Sequence, residues 1–93
     1  MGWDVTLTTD RDVTESDMDK IVSELPEWMR GDFGGKHAWG YSLAADVTMD
    51  SPREIRCHGS CSISGKIAEG FCEAIARRLE HIGCKVVIGE MSV

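Results

Sequence analysis

The sequence of 93 residues contains neither asparagine nor glutamine. Side-chain amides are common donors in oxyanion holes, and they are the usual residues that read adenine edges in the major groove. Their absence excludes any catalytic or base-reading mechanism that depends on a side-chain amide. Aromatic residues make up 6% of the chain, and none falls at the outward positions expected for the central strands, so no platform for stacking nucleic-acid bases is expected.

Long apolar runs are missing as well, and the first ten residues lack a basic segment followed by an apolar core. We therefore expect no membrane contact, no secretion signal and a cytoplasmic location. Without an export signal, the four cysteines are expected to be reduced thiols. With 42% hydrophobic and 28% charged residues, the chain is expected to fold as one globular domain over residues 1–93.

The acidic charge is concentrated in the first third of the chain. Residues 1–32 contain nine acidic and three basic residues, whereas residues 33–93 contain seven of each. The whole formal net charge of −6 therefore belongs to the first 32 residues. A field of one sign attracts partners of the opposite charge and speeds their capture.

The first half of the chain predicts a strand, a helix and a second strand. Alternating apolar and polar residues predict a half-buried strand over residues 3–8. Thr14 and Asp17 have the spacing of a capping box. Apolar residues at helical spacing then predict a helix that ends near Leu25, before the first proline. Alternation over residues 37–49 predicts one long second strand.

The second half predicts a strand over residues 55–63, a helix over 66–82 and a last strand over 85–91. Gly83 suits the left-handed residue of a Schellman ending after this helix. Gly70 costs about 1 kcal/mol relative to alanine in a helix interior. We interpret it as a position where another element approaches the helix closely.

The resulting order is β-α-β-β-α-β, which resembles the ferredoxin-like split βαβ fold. The resemblance implies an α+β domain whose four-stranded antiparallel sheet carries two helices on one face. It extends over the whole chain but is topological, and it implies no activity because many unrelated functions use this fold.

The stretch RCHGSC, residues 56–61, is the nearest approach to a metal or redox motif. On a regular strand Cys57 and Cys61 would be about 13 Å apart, too far for one zinc ion unless Gly59 forms a bulge. His58 is predicted to lie alone on the outer face of the strand. We therefore expect no bound metal and no cofactor. The four cysteines are expected to be small core residues: Cys57, Cys61, Cys72 and Cys84.

The acidic residues of the first loop and helix are the main functional candidates. Like charges four residues apart, as at Glu15 and Asp19, destabilise a helix by a few tenths of a kcal/mol. A solvated helix face would carry the same charges, so a structural role stays open. The functional hypothesis assigns partner binding to nine residues: Asp10, Asp12, Glu15, Asp17, Asp19, Glu24, Glu27, Trp28 and Phe33.

The partner expected for this surface is a basic protein, and basic proteins in a cell are mostly ones that bind nucleic acid. Direct nucleic-acid binding is not expected, because the chain has no basic stripe. Small size, acidity, single-domain build and the absence of catalytic motifs resemble phage or mobile-element inhibitors of the anti-CRISPR type. That resemblance implies a non-enzymatic inhibitor that mimics DNA. Two alternatives stay open: a homodimeric regulatory module that binds a small ligand, and a Cys/His metal-binding protein or small nuclease-like enzyme.

Overall fold

The computed structural model describes residues 2–25, 34–35, 38–41, 45–60 and 65–92. These ranges form two helices and six strands. In chain order the elements are β1 (Gly2–Thr9), α1 (Glu15–Ser23), β2 (Gly34–Gly35), β3 (Ala38–Tyr41), β4 (Ala45–Ser51), β5 (Glu54–Ser60), α2 (Gly65–His81) and β6 (Val86–Ile88).

The strands form one antiparallel sheet in the order β2-β3-β4-β5-β1-β6. The predicted α+β class is confirmed. The strands that correspond to the four predicted ones are neighbours, as β4-β5-β1-β6. Beyond β4 the sheet continues through β3 and β2, so it has six strands within the described ranges, where the sequence predicts four.

The prediction of one long strand over residues 37–49 is wrong. This stretch contributes two strands, β3 and β4, which pair antiparallel with Tyr41 opposite Ala45 and Trp39 opposite Val47. The pairing joins odd-numbered residues to odd-numbered residues. A hairpin in this register preserves the alternation of period two along the chain, so the pattern cannot distinguish one strand from two.

The core lies on one side of the sheet, where the odd-numbered residues of β1 are buried. Both helices contribute to this single core cluster, and they also contact each other. Burial of one large apolar side chain stabilises the fold by roughly 1.5–3 kcal/mol. The fully buried residues come from both helices and three strands: Leu7, Met18, Val47, Ile55, Cys57, Ile75 and Leu79.

Helix α1 begins with the predicted capping box. The Asp17 backbone N–H donates to the Thr14 hydroxyl at 3.0 Å, and the Thr14 N–H donates to the Asp17 carboxylate at 3.0 Å. Two backbone donors that have no partner within the helix are thereby satisfied. The helix ends at Ser23, with Glu24 as its C-cap, close to the predicted end.

Helix α2 matches its prediction to within one residue at each end and closes with a Schellman motif. Gly83 has a φ of 97°, its N–H donates to the Glu80 carbonyl at 3.0 Å, and the Cys84 N–H donates to the Leu79 carbonyl at 3.1 Å. The interpretation of Gly70 is wrong. This residue is exposed, and no described atom lies within 4 Å of the position that a Cβ would take.

The described cysteines are core residues, as predicted. Cys57, Cys72 and Cys84 are free thiols, and all three are buried. Cys61 lies outside the described residues, so its predicted place in the core stays a prediction.

Strand β6 is shorter than predicted because its pairing with β1 shifts. Ile88 pairs with Leu7, whereas the next bridge joins Ser92 to Asp4. The β6 side therefore has one more residue than the β1 side between the two pairs, which is the arrangement of a β-bulge. Within it, the Gly89 N–H donates to the Thr6 carbonyl at 2.9 Å.

Candidate functional site

The predicted acidic residues that the structure describes fall into two groups. Five lie in the loop after β1 or in the first half of α1, and we call them the N-terminal acidic surface: Asp10, Asp12, Glu15, Asp17 and Asp19. Glu24 lies at the opposite end of α1, about 13 Å along the helix axis from its start. Glu27, Trp28 and Phe33 lie outside the described residues, so their roles stay predictions.

Asp10 joins the first loop to the start of β6. Its carboxylate accepts the Lys85 backbone N–H at 2.7 Å, and its own N–H donates to the Lys85 carbonyl at 3.2 Å. The hydrogen bond from Lys85 lowers the pKa of Asp10, and the positive charge of Arg11 lowers it further. Asp10 therefore has a structural role in addition to its charge.

Asp12 forms an exposed ion pair with Arg53, a residue of the turn between β4 and β5. The Arg53 Nε donates to the Asp12 carboxylate at 2.9 Å, and the two side chains are 58% and 70% exposed. Exposed pairs of this kind contribute about 0–1 kcal/mol. The cation of a partner could therefore replace Arg53 at little cost in free energy.

Two of the predicted acids hold elements of the fold together. Asp17 completes the capping box of α1. Glu24 accepts a hydrogen bond from Arg78 of α2 at 3.0 Å, and Arg78 also donates to the Glu24 carbonyl at 3.2 Å. Charge reversal at either position would therefore perturb α1 as well as the surface.

A cleft of about 430 Å³ adjoins the start of α1. It forms because the first loop is bonded to the β4–β5 turn: the Val13 N–H donates to the Pro52 carbonyl at 2.7 Å, and the Thr9 N–H donates to the Arg53 carbonyl at 3.0 Å. Apolar atoms and carboxylates both line the cleft, from six residues: Val13, Glu15, Met49, Asp50, Ser51 and Pro52. No local pattern in the sequence indicates this cleft, because its two walls are about 35 residues apart in the chain.

His58 is not alone on the open face of the sheet, which corrects the sequence-based expectation. Its register partners on the two neighbouring strands are both aspartates, Asp4 on β1 and Asp46 on β4. Its Nε2 lies 2.8 Å from the Thr48 hydroxyl, a hydrogen bond whose donor depends on the tautomer. In the part of the chain that the structure describes, no group of three or more His, Cys, Asp or Glu side chains is placed to hold a metal ion.

The buried thiols are poorly placed for nucleophilic chemistry. A hydrogen bond with Cys72, together with burial, raises the pKa of Cys57 well above its usual value. The same hydrogen bond lowers the pKa of Cys72, against the effect of its own burial. His58 follows Cys57 on the strand and faces the opposite side of the sheet. The geometry therefore lends no support to a Cys/His catalytic pair.

A groove that sequence analysis missed runs between α2 and β6, and we call it the α2–β6 groove. It consists of two cavities of about 220 and 250 Å³, and Glu73 and Ile88 line both of them. Val87 and Ile88 are 68% and 46% exposed, which is unusual for residues of their size within the described ranges. The alternation of β6 gave no sign of this exposure, because it depends on β6 being the last strand of the sheet.

Neither described helix is long and apolar enough to cross a membrane. Comparison with known proteins leaves the assignment to the geometry: no protein-family model, no curated protein and no solved structure matches the chain.

Proposed function

We propose that the protein is a non-enzymatic binding module that captures a basic protein through its N-terminal acidic surface. The observation that carries this proposal is the exposure of Asp12 in the first loop and of Glu15 and Asp19, four residues apart, in the first half of α1. A surface of this kind attracts cationic side chains over about 8–10 Å at physiological ionic strength.

The cleft beside α1 gives the proposal a point of attachment. Its lining includes two apolar residues, Val13 and Met49, and two acidic ones, Glu15 and Asp50. A lysine or arginine side chain has an apolar stem and a charged end, so it fits such a mixture of apolar and acidic groups. Asp50 is paired with Arg56 at 3.0 Å, in an exposed pair that an incoming cation could share.

The proposed partner is a nucleic-acid-binding protein, because such proteins carry extended basic grooves. On this proposal the acidic surface occupies a groove that otherwise holds phosphates, as a DNA mimic of the anti-CRISPR type would. The proposed scaffold is of the ferredoxin-like split βαβ type. The strand order β4-β5-β1-β6 supports it, together with helices that follow β1 and β5.

The test is displacement of a fluorescent DNA duplex from purified basic nucleic-acid-binding proteins, including RNA-guided nucleases, followed by fluorescence anisotropy. The wild-type protein is expected to release DNA from at least one of them. The double variant Asp12→Lys/Asp19→Lys is expected to lose this activity while keeping the wild-type circular dichroism spectrum. Asp10 and Asp17 are left unchanged because they bond to the backbone.

The matched control is Glu80→Lys/Glu90→Lys, which changes the net charge by the same amount at exposed positions that do not line the cleft. It is expected to displace DNA as the wild type does. Equal loss of activity in both double variants would show that total charge matters and the N-terminal surface does not. If the wild type displaces DNA from none of the proteins, the proposed mimicry is wrong.

A further inference from the structure

Among the described strands, β6 lies at one edge of the sheet. In the described ranges it is the last strand in the order, and no strand pairs with its outer side. Strand edges with free backbone groups are the sites where an extended chain can add another strand. Two features decide whether this edge suits such a partner. One is the direction of its backbone N–H and C=O groups, and the other is the charge of the side chains on the neighbouring helix.

The hydrogen bonds to β1 determine which backbone groups of β6 are free. The Lys85 carbonyl accepts from Asp10 at 3.2 Å, and the Gly89 N–H donates to Thr6 at 2.9 Å, so both residues turn their backbone groups towards β1. Hydrogen-bonded and non-hydrogen-bonded pairs alternate along an antiparallel ladder. Val86 and Ile88 therefore direct their N–H and C=O groups outward, where they can bond to an added strand.

The wall beside this edge is acidic. Glu69, Glu73 and Glu80 are exposed and lie within about 40° of one another around the α2 axis, because their spacings are close to whole turns. All three line the α2–β6 groove, together with one basic residue, Arg77. Glu69 and Glu73 are like charges four residues apart, whereas Arg77 has an acid four residues before it and another three residues after it. The wall therefore keeps an excess of two negative charges, to which a cationic occupant is attracted.

We propose that the α2–β6 groove binds an extended basic peptide segment, which pairs with the outer edge of β6 as an additional strand. Residues of that segment opposite Val86 and Ile88 lie on the helix side of the sheet, because Ile88 pairs with the buried Leu7. There they meet Glu73 and Glu80, which favours lysine or arginine. The residue opposite Val87 lies on the open face, where Val87 is 68% exposed, which favours an apolar residue.

The proposal therefore specifies a pattern as well as a place: basic and apolar residues in alternation, with an extended backbone. It does not rest on the proposed function, since it uses a different helix and a different strand. A second copy of the chain is a less suitable occupant, because it would bring a second row of glutamates to the first.

The test is an NMR titration of the ¹⁵N-labelled protein with two capped synthetic peptides, Lys-Val-Lys-Val-Lys and Glu-Val-Glu-Val-Glu. The first peptide is expected to shift the amide signals of residues 86–90 and to slow hydrogen exchange at Val86 and Ile88. The second is expected to bind at least about tenfold more weakly. The double variant Glu73→Lys/Glu80→Lys is expected to reverse this preference, because it exchanges attraction for repulsion at two sites.

The matched control is Asp12→Lys/Asp19→Lys, which has the same net charge but an unchanged groove. It is expected to bind the lysine peptide within about twofold of the wild type, because neither residue lines the groove and salt screens exposed charges that make no direct contact. Equal binding of the two peptides by the wild type would overturn the proposal, as would shifts confined to α1. Sedimentation that shows a dimer, with slowed hydrogen exchange at Val86 and Ile88 in the absence of peptide, would also overturn it, because the occupant would then be a second copy.

Discussion

Alanine at Gly70, in the middle of α2, and alanine at Gly83, just after its end, should change stability in opposite directions. Gly70 is exposed in the middle of the helix, and no described atom lies within 4 Å of an added Cβ. Glycine at such a position is less stable than alanine by about 0.5–1 kcal/mol. Gly70→Ala should therefore raise the free energy of unfolding by about this amount.

Gly83→Ala should lower the free energy of unfolding. At a φ of 97°, an L-residue places its Cβ against its own backbone, at a cost of about 1–2 kcal/mol. The added Cβ would also lie 3.0 Å from Nη1 of Arg11. The Arg11 side chain is 59% exposed and can move away, so the backbone supplies most of the cost.

The two changes lie thirteen residues apart, about 20 Å along the helix, and should be additive. The double variant should therefore be about 0–1.5 kcal/mol less stable than the wild type. Urea denaturation followed by circular dichroism measures the free energy of unfolding of all three variants. In thermal unfolding, about 1 kcal/mol corresponds to a change of about 4–8 °C in Tm. A loss of stability in Gly70→Ala would refute the reasoning, because it would show that another group occupies this position.

Two further predictions concern the first loop and the start of α1. Thr14→Ala should cost about 1 kcal/mol in urea denaturation, whereas Thr14→Ser keeps the hydroxyl and should stay near the wild type; equal losses would contradict the role of the capping box. Asp10 should titrate below its ordinary range in a carboxyl NMR experiment, because the Lys85 N–H binds its ionised form. Since the folded-state pKa is the lower one, Asp10 stabilises the fold above its unfolded-state pKa, and this contribution is lost as the pH falls through the folded-state pKa. A titration at or above the ordinary value would contradict this assignment.

Local signals in the sequence predicted the helices well. The capping box of α1 needs only Thr14 and Asp17, and the end of α2 needs only Gly83 and its neighbours. The hairpin of β3 and β4 could not be predicted in this way. Its strands pair residues of equal parity, and the choice between one strand and two depends on contacts that periodicity does not encode.

The candidate surfaces likewise combine features that local sequence reveals with features that depend on contacts between distant residues. Counting charges shows that acidic residues are concentrated in the first loop and α1. It could not identify their partners, because Arg53 is 41 residues from Asp12 and Arg78 is 54 residues from Glu24. The α2–β6 groove left no signal at all in the sequence, since its walls meet only when β6 pairs with β1.

The two proposed surfaces differ in what they can recognise. At the N-terminal acidic surface the interactions are charges in water, which steer a partner but impose little geometry. At the α2–β6 groove the free backbone groups of Val86 and Ile88 are directional, so they require an extended partner in a fixed register.

Asp10 connects the two surfaces, because its carboxylate and its N–H both bond to Lys85 at the start of β6. Its charge belongs to the N-terminal acidic surface, whereas its hydrogen bonds hold the strand that forms the edge of the groove. A substitution at Asp10 that removed these bonds would disturb both surfaces, and its effect on binding could not be attributed to either. The two proposals are therefore tested separately by substitutions that leave Asp10 intact. These lie at Asp12 and Asp19 for the N-terminal acidic surface, and at Glu73 and Glu80 for the α2–β6 groove.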